Sequence, residues 1–204
     1  NLQYLLYLKG ESLNSSLIAG KIDSVIIIVD VQNKDHCCYL YNSTDLSLIK
    51  KSGKIGKGPN EIIRAGTAYV DNESNSFYIL DIARFQFFKF KLKELIDTEN
   101  YLPAPSYKIS PNLMPVGTIM KYTNKNLVFN GNFGNKLLGI LNSKGEIEKT
   151  IGTKFIKRNN NTPKIGYAQK TSTFYSYNPQ KKMFIVGYNC FNRLEFLNIK
   201  GEKI

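Results

Sequence analysis

The sequence predicts an all-β chain, a β-propeller of four-stranded antiparallel blades. Three observations predict it. The first is a period. Leu40-Tyr41-Asn42-Ser43-Thr44-Asp45, Ile140-Leu141-Asn142-Ser143-Lys144-Gly145 and Phe196-Leu197-Asn198-Ile199-Lys200-Gly201 each join an apolar pair to an Asn and a polar turn. They recur on a spacing of about 50 residues, with Phe88-Lys89-Phe90-Lys91-Leu92-Lys93 in the slot between and no Asn there. The second is composition: 13 Tyr, 12 Phe and no Trp in a chain that is 42% hydrophobic, with Gly, Asn and Ser scattered as turn punctuation. Aromatic and β-branched residues fit a pleated, half-buried surface. The third is alternation. Phe88, Phe90 and Leu92 interleave with Lys89, Lys91 and Lys93, one wet face and one buried face of a strand.

The elements follow in order. Leu2 to Leu8 reads as a strand leading into a polar connection, with a short helix as the alternative. The first repeat runs from Ile22 to Ile62, with strands at 24–29, 37–41 and 47–51 and turns at Asn33-Lys34-Asp35 and Asn42 to Asp45. Its wholly apolar run Val25 to Val29 predicts a strand covered on both faces. The second repeat, Ala65 to Asp97, has strands at 67–70, 77–80 and 85–92 around the turn Asp71 to Asn75. Tyr101 to Pro115 holds Pro103, Pro105, Pro111 and Pro115 and reads as an extended linker rather than an element. The third repeat, Val116 to Gly152, has strands at 117–122, 126–130, 137–141 and 147–151 with hairpin turns at 131–135 and 143–145. Lys154 to Lys164 reads as a mobile loop. The fourth repeat begins near Thr171, with strands at 174–177, 183–188 and 193–198, and a further strand would begin at Ile204. Four repeats account for nearly the whole chain, which reads as one propeller domain over residues 1–204.

Charge and rare residues narrow the chemistry. The formal net charge is +12, from 28 basic and 16 acidic residues. The lysines are spread along the chain, as they are when they protect strand edges, and no basic block or helical DNA-reading module is present. Nucleic acid is therefore not the expected partner. Three cysteines (Cys37, Cys38, Cys190) make no disulfide framework; a bridge from Cys37 or Cys38 to Cys190 stays open, but they read first as small buried hydrophobes. One histidine, His36, and no Cys-x-x-Cys argue against a zinc site, and no cofactor or metal is expected. A dyad of His36 with Cys37 or Cys38 is geometrically poor, because strand neighbours face apart. The longest apolar run is far too short to span a bilayer. The chain starts at Asn1 rather than Met, so a leader or lipid anchor is expected to precede it.

Gly53-Lys54-Ile55-Gly56-Lys57-Gly58-Pro59-Asn60-Glu61 is the sharpest local string. A phosphate loop needs Gly-Lys followed by Ser or Thr, whereas Gly58 is followed by Pro59, which has no N–H to offer. The string reads instead as a corner between blades. Gly56 and Gly58 permit unusual backbone angles, Pro59 fixes the exit, and Glu61 accepts hydrogen bonds from turn amides. Gly56-Lys57-Gly58-Pro59-Asn60-Glu61 resembles the Gly-x-Gly-Pro-x-Glu turn of the TolB-like six-bladed β-propeller proteins of Bacteroidetes. The lead-in Leu8-Lys9-Gly10-Glu11, the strand Val25 to Val29 and the strand Tyr39-Leu40-Tyr41 resemble that family too, so that the likeness covers residues 8 to 95. The resemblance implies an extracytoplasmic protein, secreted or lipid-anchored, and carries over no catalytic residue. Six blades would need on the order of 300 residues, so the chain reads as four blades of a larger parent.

Remaining candidates are few. Asp81 and Arg84 lie between two strands of the second repeat, where a ligand mouth or a surface ion pair is expected. Asp71 and Glu73 read as turn formers. Tyr167, Tyr175, Tyr177 and Tyr188 offer phenols either for stacking on sugars or for packing between blades. Asp81, Arg84 and Tyr188 are thus the candidate binding residues, with Gly56, Gly58, Pro59 and Glu61 as the structural turn and no catalytic residue. The sequence favours a non-enzymatic scaffold whose loops grip a glycan or another cell-envelope protein. A polysaccharide-active enzyme with its site at the propeller axis and a basic nucleic-acid-binding surface are the alternatives.

Overall fold

The structure is a computed structural model. It describes residues 16–113, 117–123, 125–131, 133–142, 144–154, 173–178, 180–188 and 190–204. The strand expected at Leu2 to Leu8, the loop expected over Lys154 to Lys164 beyond its first residue, and Tyr167 lie outside these. The chain divides into two compact units, Asn1–Ile109 and Ser110–Ile204.

In the first unit, β1 (Ser16–Ile22), β2 (Val25–Asp30), β3 (His36–Asn42) and β4 (Leu48–Lys54) form one antiparallel meander in that order. The expected start of this repeat at Ile22 is corrected: an edge strand precedes it. Its pairing with β2 shifts register between Ile18 and Gly20, where Gly20 adopts a φ of 152° and a Cβ would stand 2.7 Å from Val70. That irregularity breaks the alternation by which β1 would have been legible. β2 is covered on both faces, as its apolar run predicts. Ile27 and Val29 enter the main core, whereas Ile28 packs with Tyr39 and Tyr41 on the other side.

A second meander joins β5 (Ala65–Asp71), β6 (Ser76–Asp81), β7 (Gln86–Lys91) and β8 (Ala104–Lys108). Between the last two lies α1 (Leu92–Asp97), which buries Leu92 and Leu95. Two expectations are corrected here. The period-two run does not carry on through Leu92, because that residue opens α1. The proline-rich segment is not merely a linker, because Ala104–Lys108 pairs with β7. Proline is tolerated there because an edge strand leaves one row of N–H groups unpaired, and the register slips between Gln86 and Phe88 beside Pro105. Phe77 and Phe90 stack with centroids 4.7 Å apart and both are fully buried against the first sheet. Burying one such ring contributes about 1.5–3 kcal/mol. Lys50 closes the far end of α1, its Nζ donating to the Thr98 carbonyl at 2.6 Å.

The second unit repeats the plan. β9 (Ile119–Lys121), β10 (Leu127–Phe129), β11 (Lys136–Leu141) and β12 (Ile147–Thr153) form one sheet after the 3-10 turn Pro111–Leu113. β13 (Thr173–Asn178), β14 (Met183–Tyr188) and β15 (Leu194–Asn198) form a three-stranded one. Val128, Leu138 and Ile140 of the third sheet share a core with Tyr175, Phe184, Val186 and Leu197 of the fourth.

The recurring Asn motif now has a cause. It closes the third strand of its sheet, β3, β11 and β15 in turn. Asn142 Oδ1 accepts the N–H groups of Lys144 at 2.9 Å and Glu146 at 3.0 Å, while its amide donates to Glu146 Oε2 at 3.0 Å. Asn198 does the same with Lys200 at 2.9 Å, Glu202 at 3.0 Å and Glu202 Oε2 at 2.7 Å. Gly145 and Gly201 supply the left-handed residue at φ 82° and 81°. Asn42 builds a loop one residue longer, with Leu46 at φ 58°. The second sheet lacks the Asn because β7 runs directly into α1. In the fourth sheet Leu197 bridges Lys203 as Leu141 pairs with Ile147 in the third.

Candidate functional site

The sequence-predicted residues fall into two places. The first is at the end of the first unit where the β4–β5 connection (55–64) meets the β6–β7 turn (82–85). Asp81, the last residue of β6, is wholly buried rather than at the surface. Its carboxylate accepts the N–H groups of Ile63 at 3.0 Å, Arg64 at 3.3 Å and Ala83 at 3.0 Å. A buried charge is tolerable only when hydrogen-bonded and paired, and Arg84 completes the set with Nη1 3.5 Å from Asp81 Oδ2. The ion pair expected at the surface therefore joins a wholly buried acid to a half-buried guanidinium.

Arg84 does more than pair. Its Nη2 donates to the carbonyls of Lys57 and Gly58, both at 2.9 Å, and its Nη1 donates to that of Glu61. A planar guanidinium presents donors in a fixed fork, which suits several carbonyls of one turn. The Gly-x-Gly-Pro-x-Glu turn folds around its own acid. Glu61 Oε2 accepts the Gly58 N–H at 2.8 Å and Oε1 meets Lys54 Nζ at 2.8 Å. The unusual backbone angles expected at Gly56 and Gly58 are corrected, since neither has a positive φ; a Cβ at Gly56 would instead stand 2.0 Å from Glu61 Oε2, so the carboxylate would have to shift. The Lys54 hydrogen bond first, then the Gly58 N–H, hold the Glu61 carboxyl below the usual carboxylate range. Lys54 is raised in return. Pro59 lies exposed in the turn.

The second place is in the second unit. Tyr188, the third candidate binding residue, is buried and donates to Glu195 Oε2 at 3.1 Å. Glu195 is only 4% exposed, and its Oε1 receives Arg193 Nε and Lys203 Nζ, both at 2.8 Å. Burial pushes the Glu195 carboxyl up, but the hydrogen bonds from Lys203, Arg193 and Tyr188 outweigh it and leave it lowered. Sequence reasoning missed Glu195. The available signal was a charge two residues before Leu197, in the inward-facing register of β15.

Of the other candidate phenols, Tyr175 and Tyr177 pack rather than present faces. Tyr175 is buried and donates to the carbonyls of Val128 and Thr118. Tyr177 lies against Phe184, with centroids 4.7 Å apart. Cys37 and Cys38 are fully buried in the core as expected, whereas Cys190 is exposed, which corrects its reading as a buried hydrophobe; all three are free thiols. Burial pushes Cys37 up to about 12 and Cys38 well above its usual value. His36 opens β3, its N–H donating to Asn33 Oδ1 at 3.1 Å. No cluster of His, Cys, Asp and Glu suited to a metal occurs among the described residues. No helix among them is long and apolar enough to cross a membrane.

Four repeated antiparallel sheets make this an all-β chain of the β-propeller class. The chain belongs to the TolB-like 6-blade propeller-like family, whose model matches residues 17–204. Among solved structures it is similar to a DUF4221 family member from Bacteroides vulgatus, with a TM-score of 0.65 at 9% identity over 93% of this chain and 56% of that one. It is also similar to a Bacteroides fragilis protein described as exported, with a TM-score of 0.56 at 17% identity over 87% of this chain and 50% of that one. The chain thus spans about half the length of these two relatives, and at such identities the likeness is one of fold. No curated protein matches.

Proposed function

We propose that this chain is part of an extracytoplasmic binding scaffold, a propeller whose end loops grip a glycan or another cell-envelope protein. One observation carries the reading. Three acids of the loops and hairpins are each fastened in place: Glu61 by Lys54 and the Gly58 N–H, Asp81 by the N–H groups of Ile63, Arg64 and Ala83, and Glu195 by Tyr188, Arg193 and Lys203. A glycosidase acid needs instead a carboxyl raised toward neutrality so that it can donate a proton. Loops fastened in this way suit presentation of a surface. The description of the Bacteroides fragilis relative as exported supports an extracytoplasmic place for this protein as well. The resemblance to a family of six blades, with relatives about twice as long, supports a parent propeller larger than four sheets.

Incubation of the purified chain with an array of defined oligosaccharides, read in parallel for retention and for release of new reducing ends, tests this. The expected result is saturable retention without release. Release of new reducing ends that follows the wild-type chain through purification would instead establish a polysaccharide-active enzyme. Fractionation of expressing cells tests the location, with the protein expected outside the cytoplasm.

A further inference from the structure

Three loops share one end of the first unit, β2–β3 (31–35), β4–β5 (55–64) and β6–β7 (82–85), together with the exit of β8. They are stitched by main-chain bonds. Ile55 N–H donates to the Asp35 carbonyl at 2.8 Å, Ile82 N–H to that of Arg64 at 2.9 Å, and Ile109 N–H to that of Phe85 at 2.8 Å. Arg84 adds its bonds to Lys57, Gly58 and Glu61. The result is a continuous platform.

The charges on that platform are unequally committed. Asp81 is buried and saturated, and Glu61 is tied to Lys54 and Gly58. The cations Lys34, Lys57, Arg64 and Lys108 are exposed. Among the described residues none of these four side chains makes a hydrogen bond or ion pair. Asp35 is the uncommitted acid beside them. The opposite end of the same unit has the reverse balance. Asp23, Asp45, Glu73, Glu94, Asp97 and Glu99 stand there with Lys21, Lys50, Lys91 and Lys93, of which Lys50 is tied to the Thr98 carbonyl and Lys91 to Glu94. The unit is therefore polarised along its strands.

We propose that this basic end binds an acidic polysaccharide, whose uronate or sulfate groups pair with Lys34, Lys57, Arg64 and Lys108. The proposal rests on the binding reading above and names its ligand class and its face. Three ammonium groups and one guanidinium on one face complement the charge of a sugar chain that carries anions. A single-stranded nucleic acid would need aromatic faces on which bases stack. The three loops hold one aromatic ring among the described residues, Phe85, and it is half-buried.

The test titrates a labelled heparin octasaccharide into the full 204-residue chain over a salt series. A neutral maltooctaose and a charge-matched oligothymidylate serve as comparators. Saturable heparin binding is expected, weakened at least about tenfold in Lys57→Glu/Arg64→Glu with a flatter salt dependence, since fewer counterions are released. Lys21→Glu/Lys93→Glu at the other end should bind like wild type, and maltooctaose should not bind. Lys34→Gln/Lys108→Gln, which removes charge without reversing it, gives the same direction if the first pair fails to fold. Absence of heparin binding, equal losses in variants of both ends, or tighter binding of the oligothymidylate would overturn the proposal. Saturable binding of a neutral glycan with heparin inert would overturn this inference while leaving the scaffold reading intact.

Discussion

The Arg84 guanidinium donates to the Gly58 carbonyl at 2.9 Å, so a side chain from the second sheet fastens the turn that leaves the first. The same guanidinium reaches Lys57 and Glu61 and neutralises the buried Asp81. The most recognisable string in the sequence is thus one half of a lock whose other half lies more than twenty residues on.

Arg84→Ala should cost about 3 kcal/mol, because it leaves Asp81 buried without its cation and three carbonyls without a donor. Arg84→Lys should recover less than half of that, since an ammonium cannot span the fork. Urea denaturation midpoints of the two variants measure both.

The Asn turns should be equivalent to one another but their glycines should not. Asn142→Ala and Asn198→Ala should each cost about 1 kcal/mol, by loss of side-chain bonds to turn amides. Gly201→Ala should cost more than Gly145→Ala. Both are left-handed, but a Cβ at Gly201 would also stand 2.2 Å from the Gly152 nitrogen. Thermal melts of the four variants decide it.

Acid stability should depend on Glu195. Its folded carboxyl is lowered relative to the unfolded chain, so the stabilisation is complete above the usual carboxylate range and is lost as pH falls through the folded value. Glu195→Gln should therefore be less stable than wild type near neutrality, and the difference should narrow on acidification from about pH 5 to pH 3. Denaturation across that range reads the narrowing.

Thiol reactivity should separate the cysteines. Cys37 and Cys38 are buried, with thiols pushed far up, whereas Cys190 is exposed. Only a thiolate reacts with a disulfide reagent. One equivalent should react promptly at pH 8 in the folded protein and three after denaturation. Mapping by mass spectrometry should place the first on Cys190.

Much of the fold was legible because each sheet is a local meander. The third strands carried their own turn chemistry in Asn42, Asn142 and Asn198, and the Phe-Lys alternation marked β7. β1 was hidden by the irregularity at Gly20, and β8 by Pro105, which is harmless only because the strand lies at an edge. α1 was hidden because Leu92 continued the period of β7. For the site, sequence placed Asp81 beside Arg84 but could not show that Asp81 is buried, because its partners Ile63 and Arg64 come from another loop. The Tyr188–Glu195–Lys203 cluster was illegible for a related reason. Its members meet across strands, and only the inward register of Glu195 hinted at it.

The Gly-x-Gly-Pro-x-Glu turn and the Asp81–Arg84 pair form one internal fastening that should hold the loop end rigid. Amide hydrogen exchange at Gly58, Ile63 and Arg64 tests it most directly, because their N–H groups are held by Glu61 and Asp81. Slow exchange in the wild type that becomes fast at all three amides in Arg84→Ala is the predicted result. Fast exchange at these amides in the wild type, or protection unchanged by the substitution, would contradict it.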